Sequence, residues 1–178
     1  MWKILKTSVL FDHPRITLLE DEIELPNGSH TKYLKFQNKG DGSDIIAIRD
    51  DGKILLVKEY NHPVEKELWQ FPGGFIDNGE THEQAAIREL IEEGGYLADT
   101  WETLGYQHIY RRRISEMSWV HIATQLHEVE RTIENSEQGM TTHWFGEDEI
   151  DAMIANGEIT AGDTLAIWAI YKAHKQQK

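Results

Sequence analysis

The chain has 178 residues, no cysteine, and a formal net charge of −13 from 31 acidic against 18 basic side chains. That length suits one domain with room for a small extension, and it is enough to bury a sizeable core. The charge argues against a nucleic-acid backbone as partner, because no basic stripe is present to displace counterions. Without cysteine there are no disulfides or thiolate metal sites, which points to the cytoplasm. No apolar run approaches the ~18 residues needed to span a bilayer, so neither a membrane span nor a signal peptide is expected.

Residues 1–12 alternate loosely and read as a strand anchored by Trp2, Ile4, Val9 and Leu10. Residues 15–25 read as a second strand, closed by the turn Pro26-Asn27-Gly28, and 32–37 as its return, giving a hairpin over 14–37. This front segment is either an added sheet or a strand-swapping arm of a dimer. Beyond the polar loop 38–43, residues 44–48 and 53–60 read as a hairpin about Asp50-Asp51-Gly52. A strand over 67–71 then enters the bend Phe71-Pro72-Gly73-Gly74, whose glycines permit unusual backbone angles and close approach to a ligand.

The next segment is the clearest helix in the chain. Thr81 and Gln84 form a capping box, and Gly94-Gly95 supply the stop. Ala86, Ile87, Leu90 and Ile91 fall on one side at helical spacing and are expected to pack on a core. The other side carries Glu89, Glu92 and Glu93, one turn apart, where like charges weaken a helix by about a few tenths of a kcal/mol per pair. Arg88 cannot neutralise all three. Two readings follow: a solvated acidic face, or a site for a hard divalent cation with oxygen ligands. The glycine-rich bend before the helix favours the cation, since a strand–loop–helix unit can present carboxylates, amides and carbonyls to one metal–phosphate cluster.

Residues 101–110 and 118–126 read as strands with Arg111-Arg112-Arg113 between them, followed by a strand over 140–145 and a short helix over 147–155. Asp163 is the expected N-cap of a C-terminal helix that buries Leu165, Ala166, Ile167, Trp168 and Ile170. The arginines either clamp phosphates bidentately or form a solvated turn. Trp2, Tyr60 and Tyr106 are candidates to stack on a base, although aromatics more often fill cores. His108, His121 and His143 lie on strands without metal-ligand spacing and read as core or surface residues. The whole is α+β, with many strands, one central helix and one terminal helix.

Gly74, Glu80, Arg88, Glu89, Leu90, Glu92, Glu93 and Gly95 occupy the fixed positions of the pattern G-x5-E-x7-R-E-U-x-E-E-x-G-U, where U is bulky and aliphatic. Only the last U departs, as Tyr96. On these residues, the pattern of the Nudix box, the chain resembles the Nudix hydrolases. The approach VKEYNHPVEKELWQFPGGFIDNGE, the front strand pair with its PNG turn, and Gly162-Asp163-Thr164 before the last helix are similar to the ADP-ribose and nucleoside-diphosphate-sugar pyrophosphatases.

The resemblance implies a Nudix α/β/α sandwich around a mixed β-sheet over residues 41–178. It also implies a small N-terminal antiparallel β-sheet over 1–40 that helps to build a homodimer. The implied activity is metal-dependent hydrolysis of the diphosphate bond of a nucleotide sugar, with Mg²⁺ or Mn²⁺ as cofactor. Glu89, Glu93 and the backbone carbonyl of Gly73 are the implied metal ligands; Glu92 contributes directly or through water, and Glu80 is a weaker candidate. Arg88 is expected to orient the glutamates rather than touch substrate.

For the proton, the resemblance points to a glutamate on a loop well beyond the box. Glu137 fits best by position, with Glu134 behind it and Glu116 as a second loop candidate; the alternative is an ordinary acidic loop. Arg111, Arg113, Tyr60 and Asn61 are the candidate substrate contacts. Two positions depart from members acting on ADP-ribose, which tend to carry proline where Arg111 stands and arginine where Asn61 stands. ADP-ribose is therefore one candidate substrate among several. The rival readings are another Nudix chemistry, on nucleoside triphosphates or caps, and a non-catalytic nucleotide sensor.

Overall fold

A computed structural model of the chain describes residues 1–37, 40–132 and 138–178. It divides into two compact units, one of Met1–Asp41 with His108–Met117, the other of Gly42–Gln107 with Ser118–Lys178.

The first unit is an antiparallel meander of β1 (Lys3–His13), β2 (Ile16–Glu24) and β3 (His30–Gln37), with β2 central. The turn before β3 is stabilised locally: Asn27 Oδ1 accepts from the Ser29 amide at 3.0 Å, and Gly28 takes a φ of 81° that favours glycine. Among the three strands, burial is confined to the central one, where Leu19 and Ile23 are covered and Asp21 is held by Lys35 at 2.6 Å and by the Thr7 hydroxyl at 2.6 Å. The anchors expected on the first strand are not anchors here. Trp2, Ile4, Val9 and Leu10 are all exposed: the last three lie on β1, an edge strand, and Trp2, just before it, meets only the edge of Tyr33 among the described aromatic rings. The returning segment ties on through a bridge between Phe36 and Ile114 and a hydrogen bond from the Phe36 amide to the Arg113 carbonyl.

The second unit contains β4 (Gly42–Ala47), β5 (Ile54–Asn61), β6 (Lys66–Gln70), β7 (Gly73–Phe75), α1 (His82–Glu89), β8 (Tyr96–His108), β9 (Met117–Glu128), β10 (Thr141–Phe145), α2 (Glu147–Ala155) and α3 (Gly162–Lys175). One sheet is ordered β7-β4-β9-β8 and is mixed, with β4 parallel to β9 and antiparallel to β7. The other is ordered β10-β5-β6 and is antiparallel.

The expected hairpin of β4 and β5 is therefore corrected. A single bridge, Ile48 to Ile54, joins them before each enters a different sheet. Their apolar runs, Ile45-Ile46-Ala47 and Ile54-Leu55-Leu56-Val57, are continuous rather than alternating, as befits interior strands covered on both faces. β4 shows the consequence. Ile45 and Ala47 pack with Ala86 and Leu90 of the central helical segment, whereas Ile46 packs with the residues of α2 and α3, including Ile150, Ile167 and Trp168. Helices thus cover both sides of the strands, an α/β/α arrangement. The last helix begins two residues earlier than expected: its N-cap is Ala161, and Asp163 sits inside the first turn, accepting from the Thr164 amide at 2.7 Å.

Candidate active site

The site is built on how α1 starts and how it ends. Its start is the expected capping box, with the Gln84 amide donating to Thr81 Oγ1 at 3.2 Å and the Thr81 amide donating to Gln84 Oε1 at 2.9 Å. Its end is a π-helical turn, Leu90–Gly94, stopped by Gly95 at a φ of 78°. Such turns insert an extra residue and recur at functional sites.

The buried arc of this helical segment is Ala85, Ala86, Glu89, Leu90, Glu93 and Gly94. Relative to the expected face it is rotated towards the glutamates, which leaves Ile87 exposed. Glu89 is 7% exposed and Glu93 4%. Buried carboxylates at that level are rare unless paired or bound to metal, so the solvated-face reading fails for these two.

They face the glycine bend. Gly73 donates its amide to Glu93 Oε2 at 2.8 Å. A Cβ on Gly73 would lie 2.5 Å from the Ser43 carbonyl oxygen, and one on Gly74 would lie 2.2 Å from Glu89 Oε1. Neither glycine has a positive φ, so close approach rather than an unusual backbone angle requires them. The contact recorded for Gly73 runs through its amide; the carbonyl is the group that the resemblance assigns to the metal.

Arg88 knits the outer carboxylates. Its Nε and Nη2 donate to Glu80 at 3.0 Å each, its Nη1 to Glu89 at 2.6 Å and to Glu92 at 3.0 Å, and its Nη2 to the Phe75 carbonyl at 2.9 Å. Those bonds, Glu80 first, hold the guanidinium more firmly protonated, and they hold Glu80 below the ordinary carboxylate range. Every donor of the planar fork is used within the protein, which is the geometry of an orienting residue.

One member of the site escaped the sequence reading. Asp44 on β4 pairs in register with Gly73, and its carboxylate accepts a hydrogen bond from the Ser118 hydroxyl. Burial pushes its carboxyl up to about 7, a rise that Ser118 opposes and the charges of Asp163 and Glu89 reinforce. The available signal was an acidic residue opening the apolar run Ile45-Ile46-Ala47. Among the described residues no three His, Asp or Glu side chains stand ready as a closed metal cage. The donor set nonetheless suits a hard cation: the carboxylate oxygens of Glu89 and Glu93, both buried, with the Asp44 carboxyl, which burial first and then the charges of Asp163 and Glu89 push up.

The remaining candidates come from both units. Tyr60 is exposed at the end of β5, next to Asn61, in the second unit. Arg111, Arg113 and Glu116 belong to the first unit, and Glu116 is buried there. The Arg113 guanidinium donates to the Leu34 carbonyl at 3.0 Å and lies 4.9 Å from the Tyr33 ring centroid. Glu137 and Glu134 lie outside the described residues. His143 packs edge-on to Trp69 at 5.2 Å, His108 is exposed, and His121 is fully buried.

Comparison with known proteins bears on the whole arrangement. A model of the NUDIX domain matches residues 39–165. An ADP-ribose pyrophosphatase of Mycobacterium tuberculosis is 31% identical over 88% of this chain and 75% of its own length. An ADP-ribose pyrophosphatase of Bacillus subtilis is 35% identical over 54% of this chain and 51% of its own. A methanol dehydrogenase activator of Bacillus methanolicus is 36% identical over 57% and 55% respectively. The chain thus spans about half the length of the latter two relatives. A crystal structure of an ADP compounds hydrolase superposes with a TM-score of 0.89 at 20% identity, covering 99% of this chain and 95% of that one, so the fold is shared. Members of the family generally use a divalent metal. With the domain model covering most of the sequence and the box residues gathered around one buried pair of glutamates, the chain belongs to the NUDIX family.

Proposed function

We propose that this protein hydrolyses the diphosphate bond of nucleoside diphosphate sugars, ADP-ribose or a close relative, to nucleoside monophosphate and sugar phosphate, with Mg²⁺ or Mn²⁺. The observation that carries this reading is the burial of Glu89 and Glu93 against Gly73 and Gly74. Support for the substrate class comes from the relatives named ADP-ribose pyrophosphatase.

Glu89, Glu93 and the Gly73 carbonyl would hold the ion, with Glu92 beside them. When bound, the divalent ion supplies charge stabilisation for the diphosphate oxygens and for the attacking water. The chain's own residues do the rest. The Gly73 amide fixes one Glu93 oxygen and so its rotamer, and Arg88 fixes Glu80, Glu89 and Glu92 relative to one another. Buried carboxylates in a low-dielectric setting favour a doubly charged cation over water. For proton removal we assign Glu137, then Glu116, as loop carboxylates, with Glu92 as the box residue best able to help. Tyr60, Asn61 and Arg111 are assigned to substrate contacts, and Arg113 to the same group, although its guanidinium already serves the first unit. The exposed apolar side chains of β1 support a homodimer built through the first unit. The lack of cysteine supports a cytoplasmic setting.

The test is a turnover screen of the purified chain with Mg²⁺ against ADP-ribose, other nucleotide sugars and nucleoside triphosphates. Release of nucleoside monophosphate and sugar phosphate is expected. Turnover of triphosphates alone would replace the substrate class, and tight binding of a nucleotide sugar without turnover would make the protein a sensor.

A further inference from the structure

The second unit buries an imidazole that the proposed reaction does not use. His121 of β9 is 0% exposed; its Nδ1 lies 3.1 Å from Thr103 Oγ1 on β8, and its Nε2 lies 3.3 Å from Nδ1 of His82. His82 is the first residue of α1. Its ring lies flat on Trp119, with centroids 4.1 Å apart and planes 11° apart, and its backbone carbonyl accepts from Ser43 Oγ at 2.8 Å. The start of the glutamate-bearing helix is thus fastened to β4 and β9 by two hydrogen bonds and a ring stack.

The capping box cannot do this, because the bonds of Thr81 and Gln84 to each other, and of the Ala85 amide to the Thr81 carbonyl, lie within the helix start and travel with it. A leucine in place of His121 would fill the slot without the cost of burying two ring nitrogens, so the imidazole is there for its directional bonds. Burial, and then the neighbouring His82, push His121 down to about 4. It therefore stays neutral near pH 7, and one proton bridges its ring and that of His82.

The tolerance at the far end of the helix explains why such a fastening matters. A rotation of about 20° about the helix axis moves an atom roughly 5 Å from that axis by roughly 2 Å. Gly74 leaves Glu89 no room for such a shift, since even a Cβ there would overlap the carboxylate. We infer that His121, acting through His82, is a positioning residue that sets the rotation of α1 and so places Glu89 and Glu93 against the glycine bend. This rests on the hydrolase reading above.

The experiment measures Mn²⁺ affinity by electron paramagnetic resonance on the full chain, together with kcat and KM for ADP-ribose. The proteins compared are the unaltered one, His121→Leu, His121→Gln and Thr103→Val. His121→Leu is expected to weaken Mn²⁺ about tenfold and lower kcat with little change in KM, as removal of a partner behind metal ligands does. His121→Gln, which keeps a donor and an acceptor towards His82, is expected to recover most of the loss. Unaltered Mn²⁺ affinity and kcat in His121→Leu would overturn the inference, even if its melting temperature moved. Should that variant fail to fold, Thr103→Val decides by the same readouts, with a loss of about threefold expected for a weakened outer bond. If the unaltered protein binds no Mn²⁺, the hydrolase reading falls and this inference with it. If it binds and the variants match it, the inference alone falls.

Discussion

In the first unit, β1 turns Ile4, Val9 and Phe11 outward at 57%, 62% and 56% exposure; in the second, the central helix and its π turn hold Glu89 and Glu93 at 7% and 4%. The two regions invert the usual rule in opposite directions. An apolar edge strand left bare is a surface in want of a protein partner. A pair of carboxylates withdrawn from water, even with Arg88 and the Gly73 amide beside them, is the donor chemistry that a hard divalent cation takes. On the reading proposed above, the two regions are completed by different things, a second chain in one case and an ion in the other, so each should respond to a different perturbation.

The strongest way to break the contrast acts on the buried charges. Glu93→Gln keeps the shape and one acceptor oxygen for the Gly73 amide but removes the charge, and it is expected to lower kcat about a thousandfold with the fold retained. Circular dichroism checks the fold, and near-normal turnover would remove Glu93 from the site. Gly74→Ala comes next. Its Cβ would stand 2.2 Å from Glu89 Oε1, and pushing that carboxylate aside is expected to cost roughly a hundredfold in kcat/KM.

At the other pole, the double change Val9→Glu with Phe11→Glu should shift the mass measured by light scattering from dimer to monomer at micromolar concentration. A monomer before the change, or a dimer after it, would deny β1 a role in assembly.

The smallest effect is on stability. The Asp44 carboxyl is raised to about 7 in the folded chain from an ordinary 3.8, so between those values the folded state holds the extra proton. Its contribution to stability is present at low pH and is lost as pH rises through 7. In chelator, Asp44→Asn should therefore raise the melting temperature by about a few degrees at pH 8 and leave it nearly unchanged at pH 4. A benefit that was equal at both pH values would assign the effect to packing.

How far the sequence could be read depended on whether a feature was local. The capping box of Thr81 and Gln84 and the stop at Gly95 are written in neighbouring residues, and both stand in the structure. The box spacing likewise brought Gly74, Arg88, Glu89 and Glu93 together. The face of the helix is legible in part: Ala86 and Leu90 are buried as their apolar spacing predicts, whereas Ile87 points out and Glu89 points in, a choice made by the glycine bend. The β4–β5 hairpin was misjudged because the turn at Asp50-Asp51-Gly52 is a local signal, whereas the parallel pairing of β4 with β9 bridges more than 70 residues of chain. Asp44 was missed for the same reason, since its setting is assembled from β4, β7, β9 and the start of α3. The exposure of β1 has no signature in its own residues, which would read the same whether covered by this chain or by another.

The most direct measurement is anomalous diffraction at the manganese absorption edge from crystals soaked in Mn²⁺. A peak within bonding distance of the Glu89 and Glu93 carboxylates is expected, and it should vanish in Glu93→Gln. A soaked crystal of active protein with no peak at that pair of carboxylates, or with its peak elsewhere, would contradict the claim that these two buried charges exist to hold the catalytic ion.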